Sequence, residues 1–235
     1  MIISTQTIVL ALSLGMLPAI LWLIFWLRED KKHPEPIHVI IVCFLFGGLA
    51  VFGSIALEKL SIPYVISSPV LMIVAWSAIE ETLKYIAAKI GGLQKQWYNE
   101  PIDALIYLLA TALGFAAFEN TLYLMSSLGV TDFTQTLVLS NFRFIGASML
   151  HFVSSVTLGA FIAFSFYKTA RVRRIYTLLG LSTAITLHAV FNLLIIKEVL
   201  THTVLAFVVV WISIIILIGI FERIKKISPL TEEIT

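Results

Sequence analysis

The chain has 235 residues, of which 59% are hydrophobic and only 13% charged, with a formal net charge of +2 and a mean hydropathy of +0.98. A soluble domain is about 45–50% apolar and about 25% charged, so a single large soluble core is excluded, because too little polar sequence remains to cover it. A net charge this small gives no ground for a nucleic-acid partner, and the lone cysteine, Cys43, rules out an intramolecular disulfide and a cysteine-pair zinc site.

From the N-terminus, the first segment lacks a basic start and is apolar for about twenty residues, which predicts an uncleaved first span and not a signal peptide. Seven apolar stretches of bilayer length follow one another: Ile8–Leu27, Ile37–Leu57, Pro69–Ile90, Pro101–Ser127, Phe142–Tyr167, Arg174–Ile196 and His202–Phe221. Backbone polar groups in lipid must pair internally, and no alternating barrel pattern is present, so each stretch is read as a helix. The expected fold is an all-α polytopic membrane protein, a bundle of about seven transmembrane helices. It forms one transmembrane domain over residues 1–235, with a motif-bearing core at 69–196. Ser68-Pro69 offers an N-cap and a first-turn proline, Gly91-Gly92 a helix stop, and Asn99-Glu100-Pro101 the next start. Twelve of the sixteen basic residues fall on alternate connections and the C-terminal tail, for example Arg28, Lys95, Arg171, Arg174 and Lys226. The positive-inside rule then predicts an N-terminus outside and a C-terminus in the cytoplasm.

Seven polar residues lie well inside these spans: Glu80, Glu81, Lys84, Glu119, Asn120, His151 and His188. A charge at the bilayer centre costs at least about 2.5–3.5 kcal/mol, so such groups must face the bundle interior or a wet cavity. At about 1.5 Å per residue, Glu80 is about 16 Å from the outer end of its span, Glu119 and His188 about 12 Å, and His151 about 14 Å. Four helices thus bring polar groups to a similar depth, which predicts one site. Glu80/Lys84, Phe115/Glu119, His151/Ser155 and His188/Asn192 each share a helix face at i, i+4 spacing. Taken singly, each has a plainer reading: an intramembrane ion pair, a packing histidine, or an asparagine or serine joining two helices. Asp103 and Arg143, near helix starts, read as solvated ends. The convergence of the set is what argues for a site.

The motifs EETLK (Glu80–Lys84), FAAFEN (Phe115–Asn120), HFVSS (His151–Ser155) and HAVFN (His188–Asn192) occur in this order on successive spans. They resemble the four motifs of the PrsW family of intramembrane proteases, and Arg143 ahead of His151 is similar as well. That family belongs to a wider superfamily with the CAAX-prenyl endopeptidases and the Abi proteins, whose second motif typically carries a histidine. Glu119 stands there in this chain, which favours a PrsW-like protein over a prenyl-protein peptidase. The resemblance implies an intramembrane endopeptidase of the glutamate or metallo type, in a prokaryotic cytoplasmic membrane. Its substrate would be a membrane-anchored protein, for some members an anti-sigma factor.

Amide hydrolysis needs an activated water, a stabilised oxyanion and a proton for the leaving amine. Glu80 or Glu81 is the expected general base, His188 and Asn192 the expected oxyanion donors, and His151 the holder of the water or the proton. Lys84, Asn120, Ser155 and Arg143 are expected in support. In a zinc version, Glu119, His151 and His188 supply three ligands and leave a fourth position open. A proton-coupled transporter is the alternative for the same Glu/His/Lys cluster, but neither inverted repeats nor broken mid-span helices are evident in the sequence.

Overall fold

The computed structural model describes residues 5–28, 34–127, 138, 144–196 and 200–227. Among these it contains seven α-helices and no strand: α1 (Thr5–Leu27), α2 (Ile37–Val65), α3 (Pro69–Ala88), α4 (Pro101–Ser127), α5 (Met149–Phe164), α6 (Ala170–Ile195) and α7 (Leu200–Ile224). A π-helical turn, Lys89–Leu93, extends α3, and another, Phe144–Ser148, leads into α5. Six helices are long and apolar enough to cross a membrane. The exception is α3, whose twenty residues carry Glu80, Glu81 and Lys84. Arg143 and the expected start of the fifth span lie outside the described residues.

The expected borders differ from the observed ones in two informative places. The second span was read as ending at Leu57, before Glu58 and Lys59, yet α2 runs on to Val65 and through Pro63. At about 1.5 Å per residue its 29 residues reach about 43 Å, well beyond the ~30 Å hydrocarbon core. Ser61 Oγ donates to the Glu58 carbonyl (2.7 Å), and Trp76 Nε1 on α3 donates to Ser61 Oγ (3.2 Å), docking these last turns on α3. Gly91 and Gly92 follow the last α-helical residue, Ala88, but a π-helical turn carries the helical run on to Leu93. They lie inside that turn, where a side chain on either would run into Cys43 or Tyr107. Ser68 does cap α3, accepting from the Leu71 N–H at 3.3 Å with Pro69 in the first turn.

Helix α4 is the axis of the bundle. It is 94% buried over its most apolar window, α5 is 72% buried, and the other spans only 22–44%. Two glycines bring α2 onto it: a Cβ at Gly47 would collide with the Thr111 carbonyl, and one at Gly114 with the Phe44 carbonyl. Lipid gives helices no hydrophobic reason to associate, so close backbone packing of this kind does much of the joining. On the far side, Trp26 of α1 stacks on Phe152 of α5 (centroids 5.0 Å apart) and meets Phe221 of α7 (5.4 Å). Asp103, read as a solvated helix start, is instead buried. Its Oδ2 accepts from the Asn99 and Glu100 N–H groups at 2.9 and 2.7 Å, closing the turn into α4.

Candidate active site

The polar residues of α3, α4, α5 and α6 meet in one cluster against α4. Glu81 lies at its centre and is 1% exposed. Its Oε1 accepts from Lys84 Nζ (2.5 Å), His188 Nδ1 (2.7 Å) and Ser154 Oγ (2.9 Å), and its Oε2 from Ser155 Oγ at 3.4 Å. Lys84 is fully buried, and its pairing with Glu81 is what makes that burial tolerable, since an uncompensated interior charge costs several kcal/mol. The Phe115 ring lies 5.1 Å from Lys84 Nζ and 5.2 Å from the His151 ring, so the first residue of the FAAFEN motif forms a wall of the cluster.

The carboxylates dictate the histidine tautomers. An ionised carboxylate only accepts, so His188 must carry its proton on Nδ1, facing Glu81, and His151 on Nε2, facing Glu119 Oε2 at 2.8 Å. That leaves lone pairs on His188 Nε2 and His151 Nδ1. Both nitrogens lie near Glu80 Oε2, at 3.8 and 3.9 Å, and the one on His151 accepts from Lys84 Nζ at 3.0 Å. Glu80 Oε2 is buried without a hydrogen-bond partner among the described residues.

Glu80, His151 and His188 therefore offer one oxygen and two nitrogens within 4.8 Å of one another. One carboxylate and two imidazoles suit zinc, and the separations are slightly wider than the ~3.4 Å between ligands of a tetrahedral ion with bonds of about 2.1 Å. Behind the donors, Glu81 and Glu119 hold the outer ring nitrogens, the arrangement that orients and polarises metal-ligating histidines. The orphaned oxygen and the donor chemistry both fit a metal, provided that Lys84 keeps its bond to Glu81 and gives up His151 Nδ1.

Of the residues picked out in the sequence, Glu80, Glu81, Lys84, Glu119, His151, Ser155 and His188 come together here. The zinc version grouped Glu119 with the two histidines. In the structure the carboxylate near a ring nitrogen of each is that of Glu80, and Glu119 meets His151 on its other nitrogen. Helix rotation decides this, and spacing along one helix cannot reveal it. Asn120 Nδ2 donates to Ser148 Oγ at 2.8 Å, tying α4 to the turn before α5. Asn192 is half-buried one turn beyond His188 and takes no part in the cluster's hydrogen bonds. Two residues went unnoticed in the sequence. Ser154 was hidden by the adjacent Ser155, although it lies at i+3 from His151. Glu58, beyond the expected end of the second span, lies within α2.

The model of the PrsW family of intramembrane metalloproteases matches residues 35–218, most of the chain and all four motifs. The chain belongs to this family. It is 26% identical over 190 residues to Protease PrsW of Geobacillus kaustophilus (80% of each chain), and 27% identical over 193 residues to Protease PrsW of Clostridioides difficile (79% of each). Protease PrsW of Bacillus subtilis is 29% identical over 118 residues, 48% of this chain and 53% of that one. No solved structure matches. The PrsW family assignment and the six apolar spans make this an intramembrane protease, integral to a prokaryotic membrane.

Proposed function

We propose that the chain hydrolyses a peptide bond of a membrane-anchored protein at the point where Glu80 Oε2, His151 Nδ1 and His188 Nε2 converge. The observation that carries this reading is Glu80 Oε2, which has no hydrogen-bond partner among the described residues and lies within 3.9 Å of one ring nitrogen of each histidine. These three residues would hold a zinc ion, which when bound supplies a Lewis acid to the scissile carbonyl and the attacking water. Glu81, held by Lys84, His188 and Ser154 at Oε1 and by Ser155 at Oε2, orients His188 and fixes Lys84 and has no part in proton transfer. Glu119 is 34% exposed at the open side of the cluster. It accepts the proton of the attacking water and returns it to the leaving amine, while its bond to His151 keeps that ring in register. Asn192 Nδ2, outside the cluster's hydrogen bonds, donates to the oxyanion. Exclusion of bulk water by the surrounding helices strengthens each of these interactions.

A second reading, a metal-free glutamate protease, is favoured by one contact: Lys84 occupies the His151 nitrogen that a metal would need. Glu80 is then the general base, and His188 donates to the oxyanion. Metal analysis of active purified protein, alongside chelation and zinc add-back, separates the two. Under the zinc reading, one equivalent of metal copurifies and chelation abolishes cleavage until zinc is restored; full activity without stoichiometric metal sinks that reading.

The substrate class implied by the resemblance is a membrane-anchored anti-sigma factor. The test compares membrane-protein fragments in cells carrying the wild-type chain with those carrying Glu80→Gln. A fragment seen only with the wild type, and derived from a single-span regulator, is expected. Identical fragment patterns would remove the protease reading and favour a transporter.

A further inference from the structure

A cavity lies away from the catalytic cluster, at the end of the bundle where the basic residues gather. It has a volume of about 650 Å³ and opens between the end of α3 with its π-helical turn, the end of α5 and the start of α6. Its rim carries three cations, Lys89 from the turn and Arg173 and Arg174 from α6. Among the described residues none of the three has a carboxylate within ion-pair distance. Two phenols line the same cavity, Tyr85 and Tyr98, and neither hydroxyl has a hydrogen-bond partner among the described residues. Burial, helped by the charge of Asp103, holds the Tyr98 phenol above its ordinary range, so it stays a protonated donor.

Basic residues at span ends are common as topology signals and interface anchors. A convex, solvated end would account for those. Here cations of two elements line a concavity that also presents two hydroxyls, and although Lys89 Nζ lies 6.0 Å from the Tyr85 ring, none of the three cations has a carboxylate partner among the described residues. Such a rim recognises a phosphate.

The rest of the cavity says what else the ligand carries. Following α6 inward from Arg174, Leu178 lies one turn further in and Leu181 almost another. Leu178 is 63% exposed, and its neighbours Ile175 and Leu179 are exposed too, so this wall opens sideways onto the lipid-facing surface of α6. Ile162 of α5 closes the back. An acyl chain needs no hydrogen-bond partner on such a wall. A bound peptide would have to bury N–H and C=O groups against it unpaired. A free phosphate ion would leave most of the volume empty.

We infer that this cavity is a binding site for one anionic phospholipid, its phosphate held by Lys89, Arg173, Arg174 and the two tyrosine hydroxyls, and the start of its acyl chains lying against Leu178 and Leu181.

Native mass spectrometry of the detergent-purified protein tests this with equal amounts of a phosphatidylglycerol and a phosphatidylcholine of the same acyl chains. The expected result is one retained phosphatidylglycerol, favoured about tenfold or more over phosphatidylcholine, in keeping with the attraction of several basic residues for an anionic headgroup. Lys89→Gln/Arg173→Gln/Arg174→Gln should abolish the preference. Lys225→Gln/Lys226→Gln, at the same end of the bundle but outside the cavity, should leave it intact. All five residues are exposed, and the thermal unfolding of each variant reports whether it is folded. Leu178→Trp, which removes no charge, should weaken retention by obstructing the apolar wall. Equal retention of the two lipids overturns the inference, as does an equal loss in the Lys225/Lys226 variant. Displacement by inorganic phosphate at the lipid's own concentration assigns the rim to a soluble anion, and displacement by an acidic peptide assigns it to a protein tail. Either result also overturns the phospholipid.

Discussion

At Glu81, four donors point at one carboxylate, whereas Glu80, next to it in the chain, keeps an oxygen with none among the described residues. The two residues are about 100° apart on α3, and that rotation separates their duties. Under the metal-free reading, in which Glu80 is the general base, Glu80→Gln should lower cleavage by about 10²–10⁴-fold with little change in thermal unfolding, because Oε2 gives up no hydrogen bond among the described residues. Glu81→Gln should lower both activity and stability, since it leaves Lys84 buried without its counter-charge; about 3–5 kcal/mol is the expected scale. Equal unfolding midpoints for the two variants would contradict this division. Ser154→Ala removes one donor from Glu81 and should cost about 1.5–3 kcal/mol, the range for a hydrogen bond to a charged group. Chemical denaturation in mixed micelles would measure it. None of these distinctions is visible in the letters EE, because identical neighbours differ only in what surrounding helices present to them.

Among the elements, α4 is the scaffold on which the site is assembled. It contributes Phe115, Glu119 and Asn120, and its glycine contacts with α2 set how closely that helix approaches. Gly47→Leu should therefore unfold or misassemble the bundle, since its side chain would have to displace the Thr111 backbone. Gly219→Ala, with nothing within 4 Å of the added carbon, should stay within about 0.5 kcal/mol of wild type. Thermal unfolding in detergent and the yield of monodisperse protein distinguish the two outcomes. The run PIDALIYLLATALGFAAFEN reads as one more apolar span in the sequence. That α4 is the buried axis, and α1 a lipid-facing flank, was not legible, since both are strongly apolar and hydropathy does not distinguish burial in protein from exposure to lipid.

For the molecule as a whole, the alternation of basic connections predicts an N-terminus outside and a cytoplasmic C-terminus. With Cys43 replaced by alanine, single cysteines at Thr5 and Lys226 make this testable with an impermeant maleimide on intact cells. Labelling of Thr5→Cys, with Lys226→Cys labelled only after permeabilisation, is expected; the reverse pattern would invert the topology. The same orientation would put the anionic-lipid cavity on the cytoplasmic leaflet, at the opposite end of α3 from its Ser68 cap.

By itself the sequence determined the membrane class, the helical architecture and the order of four motifs, because hydropathy, backbone satisfaction in lipid and i, i+4 spacing act along a single segment. Depth bookkeeping went one step further and brought residues of four helices to one level. Only the tertiary structure decided which oxygen faces which nitrogen, that Glu80 and not Glu119 lies between the two histidines, and that three basic residues enclose a cavity. Those outcomes depend on how each helix is rotated and crossed against its neighbours. Packing between segments distant in the chain sets that rotation, and no local spacing encodes it.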